Sequence, residues 1–273
     1  MNTAETATSD LSTRFTAGVV MIAVACAAIW YGGWPFRILV SAVAVVMMIE
    51  WGDMHRVSRT LSYASGALLV VLLLGVAQWL FPVDEIDYAI TAGSFGPAWT
   101  GFAIALAMAV LAGLAGRRLA MGGGFLYVAI PSFALLVLDW LTFELVFWAM
   151  AVTWATDIFA YFAGRSIGGP KLAPRISPKK TWAGLGGGVI GAAVFGAIVA
   201  RLFDLDAPFP YVGGLMAIVA QAGDLYESWL KRRAGIKDSG SILPGHGGVL
   251  DRVDGLLPVV VATFLLLWGL SAS

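Results

Sequence analysis

The sequence predicts an all-α, polytopic integral membrane protein with about nine transmembrane helices and a cytoplasmic N-terminus, and three observations predict it. Of its 273 residues, 59% are hydrophobic and 12% are charged, whereas soluble globular chains carry roughly 25% charged residues; the mean hydropathy is +0.85. The apolar residues are gathered into runs near the roughly 17–25 residues that a spanning helix needs. The formal net charge of zero conceals a strong asymmetry, since the charges sit in a few short clusters between those runs.

Residues 1–13 are small and polar, with Glu5 and Asp10 but no basic residue, unlike the positive start of a cleaved signal peptide. They are expected to form a disordered tail ahead of a single membrane domain over 14–273. The runs 15–31 and 34–49 flank the turn-like Gly32-Gly33 and predict a tight helical hairpin. The compact polar loop 50–59 follows; its His55 suits a phosphate or a metal, or plain surface. Runs 61–81 and 98–116 come next, separated by an acidic connection, and Gly122-Gly123-Gly124 is expected to break the chain before run 125–138. Asp139 and Glu144 mark a turn at the outer boundary before run 145–163. Run 183–203 is glycine-rich, which lets helices approach closely, with a phosphate-cradling role for the first glycines as the alternative. Runs 211–230 and 253–270 complete the set. Tryptophans near span ends (Trp30, Trp34, Trp51, Trp140, Trp182) predict an aromatic belt. Cys26 is the only cysteine, so neither an internal disulfide nor a cysteine-based metal site can form.

Positive charge orients the chain. With the N-terminus in the cytoplasm, 15 of the 17 basic residues face that side, and only Arg37 and Arg201 do not. Both charged loops, 164–182 and 231–252, then face the cytoplasm, where nucleotides are.

These two loops carry the candidate chemistry. In the stretch 224–254, five basic and five acidic side chains lie between two apolar runs, a costly arrangement beside a bilayer unless the charges meet ligands, ions or each other. Asp224, Ser228 and Lys231 fall on one helical face, and Asp251 and Asp254 share another. Carboxylates from two helix ends suit Mg²⁺; the alternative is a salt-bridge network among Asp224, Asp251, Lys231 and Arg252. Gly247 and Gly248 beside His246 supply backbone N–H groups for an anion, although His246 also suits a helix cap. In the other loop, Ser177, Lys179, Lys180 and Thr181 offer two ammonium groups and two hydroxyls in a proline-stiffened frame. A juxtamembrane patch for anionic headgroups is the bland reading, and it is compatible with a lipid substrate. Asp157, an intramembrane acid four residues before Tyr161, is either a functional residue or a structural hydrogen-bonding one.

The pattern Ser228-x-Leu230-Lys231-Arg232-x4-Lys237-Asp238-x-Gly240-x2-Leu243-Pro244-x-His246-Gly247-Gly248-Val249-x-Asp251-Arg252-Val253-Asp254 resembles the signature of the phosphatidate cytidylyltransferases, or CDP-diacylglycerol synthases. Upstream, Asp157, Tyr161, Gly164, Lys171-Leu172 and Ser177-Pro178-Lys179-Lys180-Thr181-Trp182 resemble that family's second block. The likeness covers the C-terminal half, and Ala183 departs from it where many members carry a polar or acidic residue. It implies a reaction joining CTP to phosphatidic acid in phospholipid biosynthesis, Mg²⁺ with room for a second cation, and a multi-pass protein of the inner (plasma) membrane. It further implies that Asp224 and Asp251 are the metal ligands, with Asp254 and Asp238 close by. Lys231, Arg232, Lys237, Lys179 and Lys180 would neutralise phosphates, with Arg252, Ser228 and Asp157 among the substrate contacts. Ser177 and Thr181 would add hydrogen bonds, and His246, Gly247 and Gly248 would shape the turn over the pyrophosphate. Membrane lipids are the expected partners and nucleic acid is not; whether the first two helices only anchor the chain or help form a homodimer stays open. A CTP-using lipid or polyprenol kinase, or an anion carrier with Asp157 in its pathway, are the competing expectations. The carrier is disfavoured by the one-sided charge and the lack of an inverted repeat.

Overall fold

The computed structural model describes residues 18–83, 95–116, 119–242 and 247–271. The expected tail, Arg117, Arg118 and His246 lie outside the described residues. In chain order the helices are α1 (Gly18–Tyr31), α2 (Gly33–Met54) and α3 (Arg59–Leu80), the last carrying a π-helical segment at Val71–Val76. Next come α4 (Gly96–Gly116), α5 (Leu119–Leu141), α6 (Phe143–Ser166) and α7 (Trp182–Leu202). The chain continues through α8 (Phe209–Ala234), α9 (Leu250–Val253) and α10 (Leu256–Ser271). Among the described residues, six helices, α2 to α7, are long and apolar enough to cross a membrane, so the protein is a helical, multi-pass membrane protein. Every predicted apolar run overlaps a helix.

The structure departs from the sequence reading at three places. First, the basic loop holds a small antiparallel hairpin, β1 (Lys171–Ala173) and β2 (Ser177–Thr181), with Lys171 opposite Thr181. Second, Gly122-Gly123-Gly124 does not break the chain but lies inside α5. A Cβ at Gly122 would stand 2.8 Å from the Ala109 carbonyl oxygen, and one at Gly124 would stand 2.1 Å from the Trp51 indole. These glycines are there for close packing, and the membrane setting tolerates them because the helix has no other way to satisfy its backbone. Third, Trp51 is buried instead of facing the interface, and its Nε1–H donates to the Ala120 carbonyl at 2.9 Å.

The predicted turn at Gly32-Gly33 is present, with both residues at positive φ (57° and 53°), a conformation that glycine adopts without steric cost. The glycines of α7 press that helix onto α6. A Cβ at Gly187 would meet Ala163 Cβ at 2.3 Å and the Phe159 carbonyl at 2.9 Å, and one at Gly188 would meet the Thr156 carbonyl at 3.0 Å. Backbone approach of this kind holds membrane helices together where hydrophobicity gives no drive between them. Because α7 also packs along α8, the seam sets the spacing of the three helices that carry the charged residues described below.

Gly187→Val therefore pushes α6 and α7 apart and is expected to cost about 1–3 kcal/mol. Gly186→Val, where an added Cβ meets nothing within 4 Å, should leave stability unchanged. Thermal unfolding of the two purified variants checks the pair.

Candidate active site

A cavity of about 520 Å³ opens where the C-terminal part of α6, the β-hairpin, the start of α7 and the second half of α8 meet. Asp157 and Tyr161 line it from α6, one helical turn apart, with Lys179 and Lys180 from β2 and Gln221 and Asp224 from α8. Arg165 also faces it and donates to the Tyr161 hydroxyl at 3.1 Å. Lys180 anchors this group. Its ammonium donates to Gln221 Oε1 at 2.9 Å and is ion-paired with Asp224. Asp224 Oδ1 also accepts from Ser228 Oγ at 3.3 Å, as the helical spacing predicted. The hairpin presents Lys179 outward, exposed, and Ser177 half-buried. Thr181 is buried, and its Oγ1 accepts from Gly184 N at 3.0 Å as the N-cap of α7. That hydroxyl's first duty is the helix start.

A second node lies just past the apolar part of α8. Lys231 Nζ is 2.5 Å from Glu227 Oε2 and 2.6 Å from Asp251 Oδ1; Glu227 is wholly buried. Asp251 Oδ2 accepts from Ser239 N and Gly248 N, both at 2.9 Å. Burial disfavours the charge of Asp251, but the hydrogen bonds from Lys231, Gly248 and Ser239 outweigh it and hold its pKa below 3.8. Burial likewise opposes the Lys231 charge, and hydrogen bonds to Asp251 and Glu227 outweigh that too, so its pKa is raised above 10.5. Gly247, at φ +84°, turns the chain beside this carboxylate.

The remaining predicted residues scatter around these nodes. Arg232 points away from Lys231 and donates to the Ile176 carbonyl of the hairpin at 3.4 Å. Lys237, Asp238 and Arg252 are exposed. Asp254 Oδ1 accepts from Gly255 N at 2.8 Å. His55 stacks on Trp51 with ring centroids 4.4 Å apart.

The two carboxylates expected to share an ion are thus each paired with a lysine, Asp224 with Lys180 and Asp251 with Lys231. Among the described residues, no three or more His, Cys, Asp or Glu side chains converge on one point. Single carboxylates of this kind fit Mg²⁺, which binds through one or two carboxylates and takes its other ligands from water and substrate phosphates. Asp157 and Asp224 line the same cavity, and a divalent cation relieves the repulsion between carboxylates so placed.

Two residues at the site had no role in the sequence reading. Glu227 sits in the α8 stripe, but nothing in spacing marks it as the buried partner of Lys231. Glu50, at the end of α2, is buried, and its carboxylate receives Ser239 Oγ, Val249 N and Leu250 N. An acid closing an apolar run was visible, but its partners lie 189 to 200 residues away.

Residues 12–270 match the model of the Cytidylyltransferase family. The chain is 39% identical over 266 residues to the phosphatidate cytidylyltransferase of Brucella abortus biovar 1 (strain 9-941), covering 96% of this chain and 94% of that one. It is 32% identical over 274 residues to that of Bacillus subtilis (strain 168), covering 94% and 98%. To that of Pseudomonas aeruginosa it is 33% identical over 258 residues, covering 86% and 88%.

The Lys231 node carries a pH signature. The stabilisation from Asp251 is present above 3.8 and fades only as pH falls through its lower folded pKa. That from Lys231 is complete below 10.5 and fades as pH rises through its higher folded pKa. The loss of melting temperature caused by Asp251→Asn should therefore shrink as pH falls below 3.8 and again as it rises past 10.5. Lys231→Met, which leaves buried carboxylates without their cation, should cost about 3–5 kcal/mol. Melting curves across pH check both.

Proposed function

The chain belongs to the cytidylyltransferase family and is a nucleotidyltransferase; from that premise we propose that it joins CTP to phosphatidic acid, forming CDP-diacylglycerol and pyrophosphate. The observation that carries this reading is the cavity in which Lys180 stands between Gln221 and Asp224 with Lys179 and Arg165 on its walls. The cavity adjoins helices whose outer faces are apolar, such as Phe162 of α6 and Ile190 of α7. A cationic chamber next to lipid suits a substrate with a phosphate head and acyl tails.

In this reading an oxygen of the lipid phosphate attacks the α-phosphorus of CTP, the bond from that phosphorus to the bridging oxygen of the β-phosphate breaks, and pyrophosphate leaves. The nucleophile is a phosphate monoester with a second pKa of about 6, so it is largely ionised at neutral pH and needs no strong base. The obstacle is repulsion between two polyanions, and positioning with charge neutralisation overcomes it. Lys179, Lys180 and Arg165 neutralise the phosphates in the cavity. Arg232, Lys237 and Arg252 extend the positive field over the entrance. Lys231 holds Asp251 in place, and Ser228 orients Asp224. Asp224 and Asp251 would hold Mg²⁺, which would supply positive charge against the triphosphate.

The positive-charge distribution supports nine spans, with α1, α8 and the α9–α10 segment added to the six long helices, and a cytoplasmic N-terminus in the inner membrane. The site loops 164–182 and 231–252 would then face the cytoplasm within one membrane domain over 14–273. The exposed apolar residues of α1, Val19, Val20 and Ile22 among them, would contact lipid or a second copy in a homodimer.

Supplying the purified protein with phosphatidic acid, Mg²⁺ and CTP labelled in the cytidine should put label in the lipid fraction, and a chelator should stop it. Label entering lipid only from the γ-phosphate would make the protein a kinase and overturn the reading. Asp224→Asn is expected to lower kcat about 100-fold; normal turnover in that variant would remove the metal assignment. Lys179→Ala should lose activity, and unchanged CTP binding in it would place the hairpin at the lipid phosphate.

A further inference from the structure

We propose that Glu50 is a positioning residue for the transfer: its carboxylate, delivered from the far end of α2, ties Ser239 to Val249 and Leu250 and so holds the backbone that carries Asp251. The inference rests on the transferase reading above but draws on contacts that the reading does not use.

Glu50 is 2% exposed, and a carboxylate so deeply buried is costly unless its oxygens are occupied. Here they are. Oε1 accepts from Val249 N at 2.8 Å, and Oε2 accepts from Leu250 N at 2.9 Å and from Ser239 Oγ at 3.1 Å. One acid therefore grips Ser239 and the backbone of Val249 and Leu250 at once. The packing is built to admit it. A Cβ at Gly240 would stand 2.6 Å from Glu50 Oε1, and one at Gly248 would stand 2.8 Å from the same oxygen and 2.1 Å from Ser239 Oγ. Both glycines leave room for the carboxylate, and any larger residue would displace it.

The same two stretches are the ones that Asp251 reads. Its Oδ2 takes Ser239 N and Gly248 N while its Oδ1 takes Lys231. Ser239 thus gives its hydroxyl to Glu50 and its amide to Asp251, and Gly248 packs on one acid while donating to the other. Removing Glu50 would free the backbone on which Asp251 depends without touching the cavity itself. Glu50 does not line that cavity, so it acts on the reaction through Asp251. This also gives the N-terminal half of the chain a part in the site, since α2 brings in the carboxylate across a long sequence separation.

The test uses the full-length protein purified in detergent. Glu50→Gln keeps the volume but puts an amide N–H₂ against a backbone donor, and Gly248→Ala disturbs the same contact with no change of charge. Both should speed tryptic cleavage after the exposed Lys237 about 10-fold or more. Both should also lower kcat by about 10-fold or more with little change in KM for the lipid, as loss of a partner that orients a ligand residue typically does. Ser239→Ala should lose less, and combined with Glu50→Gln it should add little further, because the two act through one contact. Wild-type kcat and cleavage rate in Glu50→Gln would overturn the proposal. So would losses that multiply in the double variant, or activity that falls only in step with the folded fraction. A wild-type protein that moves no cytidylyl group would sink the transferase reading instead, and the cleavage rates would still judge Glu50.

Discussion

A single ammonium group shared by two carboxylates is the interaction on which the rest of this site depends. Lys231 lies at the end of α8, where leaving an unpaired charge near a bilayer is expensive, and it is ion-paired with both buried Glu227 and Asp251. Asp251 then spends its other oxygen on two backbone amides, which fixes the chain before α9, and Glu50 fixes the same stretch from the opposite side. Each link is ordinary by itself. In series they tie α8, the loop and α2 into one frame, so the entropy of ordering a polar loop at a membrane surface is offset by contacts from elements already held in the bundle.

The helices were legible because a spanning segment must satisfy its own backbone, and hydropathy therefore reports them almost directly. What hydropathy does not carry is the reason for a glycine. Gly32-Gly33 and Gly122-Gly123-Gly124 look alike as text, yet the first pair turns the chain at positive φ and the triplet lies within α5. The difference is decided by neighbours, the Trp51 indole and the Ala109 carbonyl, that no local window contains. Trp51 was misplaced for the same reason: its position at a run end suggested an interface, while a carbonyl on another helix had already claimed its N–H. The hairpin in the basic loop was hidden by its prolines, which read as irregular chain; Pro170 and Pro174 lie outside the strands, and only Pro178 sits within one, a strand of five residues.

Within the site, residues placed by helical spacing were found where expected, as the Asp224 and Ser228 pair shows. Pairings across elements were not legible. Asp224 and Asp251 were grouped because both are acids at helix ends, whereas the fold gives each its own lysine. Glu50 escaped notice because a carboxylate that serves only backbone amides leaves no motif; its partners are glycines, a serine and main chain, all common in any turn.

The two lysine nodes differ in a way that assigns them different work. Lys231 faces two carboxylates, so the group it belongs to carries no surplus positive charge to offer a phosphate, and its side chain is only 12% exposed. Lys180 faces one carboxylate and a neutral amide, and Lys179 and Arg165 share its cavity. Cations therefore face the cavity from the hairpin side, while Arg232, Lys237 and Arg252 lie exposed on the loop. A polyanion entering the cavity between α6, β2 and α8 would meet both sets. Around Lys231 the loop is a frame, with Asp251 held by Lys231, Ser239 N and Gly248 N. Keeping that frame apart from the cavity's cations is the arrangement that electrostatic preorganisation calls for.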